Sequence, residues 1–80
     1  MKFADFTTKQ IRLISRATRG IRSNEAIYIM DDGRATLQDR NFRGFYNFNG
    51  DDSAPGLTPL VSFEAPQTYK QVEQALEEAF

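Results

Sequence analysis

Lys9, Arg12, Arg16 and Arg19 recur at spacings of three and four, which on a helix gathers four cations within about 80° of one another. Such a face can contact phosphates on successive turns, and Arg22, Arg34, Arg40 and Arg43 extend it if a neighbouring hairpin lies alongside. The plainer reading is a solvated face, some of whose charges pair with acids elsewhere, and the formal net charge of -1 favours it. Catalysis has little to work with. The chain contains no His and no Cys, and so lacks the commonest general base, the thiolate nucleophile and the usual transition-metal ligands. Asp31 with Asp32, and Asp51 with Asp52, are adjacent carboxylates in turn-forming stretches, where capping accounts for them without a substrate. No catalytic residue, metal or cofactor is expected. The oxygen ligands Asn47, Asn49, Asp51 and Asp52 lack the EF-hand spacing and its closing Glu. Gly33, Gly44, Gly50 and Gly56 stand singly, and none opens a helix as a phosphate loop would.

The stretch R-G-F-Y-N-F-N-G, residues 43–50, begins like the RNA-reading strand of an RNA recognition motif, in which alternate rings stack on bases. Arg43, Gly44 and Phe45 fit its first three places. Tyr46, Asn47 and Gly50 then fail the small, aromatic and aromatic positions, so the match ends there. Read as a strand over 42–48, the segment puts Phe42, Gly44, Tyr46 and Phe48 on one face and Arg43, Phe45 and Asn47 on the other. The first set is expected inside. Phe45 is expected on an open sheet face beside Arg43, with whichever of Ala26, Tyr28 and Met30 points the same way, and an exposed ring next to an Arg makes an interface anchor.

The elements that position these groups follow from local signals. Thr7 can cap a helix over 7–19, with Gln10 as its capping-box partner, Phe6 and Ile11 as a hydrophobic staple and Gly20 as a left-handed stop. At about 100° per residue, Leu13, Ile14, Ala17 and Ile21 form the expected apolar side, with Ile11 at its edge. A-I-Y-I-M, D-D-G and R-A-T-L-Q read as strand, turn and returning strand. Turn formers crowd residues 49–59, an expected irregular surface loop carrying Asp51 and Asp52. Residues 60–63 are a candidate fourth strand ended by Pro66. Thr68 and Gln71 then repeat the capping box before a second amphipathic helix, with Tyr69, Val72, Leu76 and Ala79 on one side and Phe80 as its apolar end. The order is that of an α+β domain: N-terminal helix, three- or four-stranded antiparallel sheet and C-terminal helix, with both helices on one sheet face.

Eighty residues make a single domain over 1–80 that buries only a little over ~60% of its unfolded surface. Self-association would help it, and a homodimer is one expectation. The apolar run 26–30 falls far short of the ~20 residues a membrane-spanning helix needs, and the N-terminus lacks a signal-peptide core. A cytoplasmic protein without membrane contact is expected. Charge is uneven, with nine Lys/Arg against five acids in residues 1–43 and one against six in 44–80. The leading expectation is a small non-catalytic regulator or inhibitor that docks on another protein through Arg43, Phe45, Asn47, Asp51 and Asp52, resembling compact phage accessory proteins only in size and style. The alternatives are a nucleic-acid binder using Lys9, Arg12, Arg16 and Arg19, and a self-associating structural subunit.

Overall fold

A computed structural model describes residues 1–39 and 58–80. A 3-10 turn over Phe3–Asp5 leads into helix α1, Thr8–Thr18. Its capping box is closed as the sequence predicts: the Thr7 hydroxyl accepts the Gln10 N–H at 3.1 Å, and Gln10 Oε1 accepts the Thr7 N–H at 2.7 Å. Helix α2, Tyr69–Ala79, is closed in the same way by Thr68 and Gln71, at 3.2 and 2.9 Å. Gly20 does not act as a left-handed stop. Arg19 ends α1 in right-handed conformation, and the Arg19 and Gly20 amides donate to the carbonyls of Arg16 and Ala17, each at 3.1 Å. Bonds of this tighter i to i+3 kind satisfy the last carbonyls, so no positive φ is needed.

The sheet holds β1 (Glu25–Met30), β2 (Ala35–Asp39) and β3 (Pro59–Phe63) in the order β2-β1-β3, antiparallel throughout. The β1–β2 hairpin closes through a short loop, in which the Met30 carbonyl accepts the Gly33 amide and the Arg34 carbonyl accepts the Met30 amide, both at 2.8 Å. Gly33 sits at φ 86°, the left-handed place such a loop requires, and a Cβ there would also run into the Met1 side chain. Asp32 accepts the Arg34 amide at 2.9 Å, the turn role expected of it. The candidate fourth strand is thus the third strand of the described sheet, whereas the strand expected over 42–48 lies outside the described residues. So does most of the loop expected over 49–59. Its last residue, Pro59, belongs to β3, at the strand start where a missing N–H is tolerated.

Both helices pack on the sheet face that carries Ile27 and Ile29. Ile11 and Ile14 of α1, Val72 and Leu76 of α2, Phe6 and Phe63 complete the core there. Each large apolar side chain fully buried in this way contributes about 1.5–3 kcal/mol. Phe80 closes one end, its ring edge-on to Phe6 at 5.0 Å and 70°.

Two corrections concern faces. The inward stripe of α1 is centred on Ile11, Ile14, Ser15 and Thr18; of the apolar side expected from spacing, Ile14 is buried and Ala17 and Ile21 pack partly buried against the core, but Leu13 does not. Leu13 is 49% exposed. The cause is polar: the Ser15 hydroxyl donates to the Gln67 carbonyl at 2.7 Å, and the Thr18 hydroxyl accepts the Gln67 amide at 2.9 Å while donating to the Ser15 carbonyl at 2.6 Å. The backbone that enters α2 has its hydrogen-bonding groups satisfied by α1, which must turn these hydroxyls inward to reach them. The second correction is that the opposite sheet face is not open at Ala26 or Met30. Both are fully buried, as are Thr36 and Gln38 on the same face, while Tyr28 is half-buried.

Candidate functional site

Helix α1 carries its cations on the flank next to its buried stripe. Lys9, Arg12, Arg16 and Arg19 are all exposed, and at 1.5 Å per residue they run roughly 15 Å along the axis. Among the described residues, the ion pair is Arg34 with Asp32 at 3.3 Å, and none of the four helix cations lies within ion-pairing distance of a carboxylate.

The sheet keeps the two halves of the described chain side by side. With β1 central, β2 and β3 form opposite edges of the described sheet. Helix α1 packs on β1 and borders the start of β2, while α2 packs on β3.

Leu13 projects roughly 150° away from the centre of the buried stripe, at 100° per residue. It stands as a ridge between two hollows. On one side Leu13, Ile14 and Ala17 face Gly33 and Ala35 of the hairpin across an apolar hollow of about 540 Å³, with Arg16 and Arg34 at its margin. On the other, Leu13 with Thr8, Lys9, Arg12 and Arg16 borders a cationic hollow of about 490 Å³. Arg16 and Leu13 belong to both. An apolar surface and a positive one that no described carboxylate pairs are thus joined along one side chain. Among the described residues, no cluster of carboxylates could hold a metal ion.

The residues expected to meet a protein partner, Arg43, Phe45, Asn47, Asp51 and Asp52, lie outside the described residues, and with them the question of whether Phe45 or Tyr46 points inward. The companions expected for Phe45 do not form an open face, since Ala26 and Met30 are buried. The basic residues are legible from their spacing; the apolar hollow beside them is not. Its one signal is the presence of Ser15 and Thr18 on the side of α1 away from Leu13, two hydroxyls able to compete for the inward position. Among the described residues no helix is long and apolar enough to cross a membrane. No family model matches the chain, and no curated protein or solved structure matches it significantly in sequence or in fold.

Proposed function

We propose that the protein is a non-catalytic binding module, a regulator or inhibitor acting in the cytoplasm, that docks on another protein through the α1 surface. The observation that carries this reading is Leu13, half exposed between an apolar and a cationic hollow. A large side chain left at the surface, beside arginines that no described carboxylate pairs, has the composition of an interface anchor. Nucleic acid fits less well, because a phosphate backbone would use Lys9, Arg12 and Arg16 but has no use for the apolar wall of Ile14, Ala17 and Ala35.

The test is capture from a nuclease-treated lysate of the source cells, comparing the wild-type chain with Leu13→Ser and with Arg12→Gln/Arg16→Gln. A defined protein retained by the wild type and lost by both variants is the expected result. Equal retention by all three removes the α1 surface from the reading. Binding of a mixed RNA and DNA pool at ~50 mM salt, weakened by the arginine variant and untouched by Leu13→Ser, would replace the protein partner with nucleic acid.

A further inference from the structure

The two hollows that flank Leu13 differ in chemistry, and together they define what would fill them. An occupant must bring apolar side chains to Leu13, Ile14, Ala17 and Ala35 and negative charge to Lys9, Arg12 and Arg16, on adjacent sides of one element. It must also satisfy its own backbone. The amides of Gly33 and Arg34 and the carbonyl of Arg34 are already bonded to Met30 and Asp32, so the hairpin loop at the rim of the hollow offers no ladder to an extended strand. A helix needs none, because its backbone bonds are internal. The cations of α1 recur at i, i+3, i+7 and i+10, the spacing at which carboxylates on one flank of a second helix would meet them.

From this juxtaposition we propose that the α1 surface receives an acidic amphipathic helix of a partner protein, its apolar stripe seated over Leu13 in the hollow against Gly33 and Ala35, and its carboxylates turned towards Arg12 and Arg16. The proposal rests on the binding-module reading and specifies the partner. Charge fixes the orientation. On the hairpin side the charge of Arg34 is offset by Asp32, whereas no described carboxylate pairs the α1 cations, so an acidic flank is drawn to the side of the α1 cations. A basic amphipathic helix would meet the reverse pattern and be rejected from the cationic hollow.

Three synthetic peptides of about 18 residues, five turns of helix, test this directly by fluorescence anisotropy against the full chain. The first has leucines at i, i+3, i+4 and i+7 and glutamates elsewhere. The second replaces each glutamate with lysine. The third keeps the composition of the first but scatters its leucines around the helix. The first should bind, with a Kd on the order of 10–100 μM, and the other two at least about tenfold more weakly. Leu13→Ser and Arg16→Gln, both exposed positions whose variants should keep the wild-type circular dichroism, should each weaken the first peptide by about tenfold, and added salt should weaken it further. Equal binding of the scattered peptide would show that charge alone acts and overturn the helix seat. Equal binding of the lysine peptide, or no binding of the first at about 1 mM, overturns the proposal outright. In that last case a lysate protein lost through Leu13→Ser would leave the binding module standing with a partner of different chemistry, so the two readings fail separately.

Discussion

The hydrogen bonds that tie α1 to the backbone before α2 should be measurable as a single hydroxyl's worth of stability. Thr18 is fully buried; its hydroxyl accepts from the Gln67 amide at 2.9 Å and donates to the Ser15 carbonyl at 2.6 Å. Thr18→Val keeps the shape and the β-branching, so helix propensity and packing volume change little. What changes is that the Gln67 N–H loses its partner in a part-buried site. Leaving such a donor unsatisfied costs about 1–3 kcal/mol, and a middle value of about 2 kcal/mol is a large part of the margin of so small a domain. At roughly 4–8 °C per kcal/mol for a chain of this size, the melting temperature should fall by about 10 °C. Urea and thermal unfolding followed by circular dichroism supply both numbers. Thr18→Ser is the control, since it retains the hydroxyl and removes only a methyl group. A Thr18→Val protein within about 0.5 kcal/mol of wild type would refute the reasoning, and so would a Thr18→Ser loss as large as that of Thr18→Val, which would assign the effect to the methyl group.

Gln38 is 1% exposed on the sheet face opposite the helices, and neither its Nε2 nor its Oε1 has a hydrogen-bond partner among the described residues. Gln38→Leu should therefore leave stability unchanged or raise it by about 1 kcal/mol, and a clear loss in urea unfolding would mean that the amide does have a partner in solution. Leu76 is fully buried between α2 and the sheet. Leu76→Asp should cost several kcal/mol and abolish the cooperative melt at 37 °C, whereas near-native melting would mean that α2 does not pack on the sheet as described.

How much of the fold is legible in the sequence depends on the range of the interaction. Capping places the start of each helix to within a residue, because a capping box is complete within four residues: Thr7 with Gln10, and Thr68 with Gln71. The hairpin is equally local, as the D-D-G loop carries its own left-handed glycine. The spacing of Lys9, Arg12, Arg16 and Arg19 is enough to put the four cations on one flank, since helix geometry needs nothing beyond the intervals between them.

The expectations that fail share a cause. Apolar periodicity turns α1 towards Leu13, and the glycine after the helix suggests a left-handed stop, yet each outcome follows from where hydrogen bonds can be closed. Residues 60–63 can be read as a strand, but their sequence does not say that they lie beside β1 and complete the order β2-β1-β3. That order sets α1 over β1 and α2 over β3 on one face of the described sheet, a placement that follows from the packing of distant segments. The two helices, the hairpin, the helix N-caps and the cation spacing are all written in contacts a few residues apart. They can be recovered from the chain alone, whereas the 3-10 turn over Phe3–Asp5 is not among the elements expected from the sequence. The side of α1 that faces solvent is written nowhere in the helix itself. It follows from long-range packing, because the partner that turns Ser15 and Thr18 inward is the backbone of Gln67, 52 and 49 residues further along the chain. Turning those hydroxyls in is what leaves Leu13 out, between the apolar and the cationic hollow.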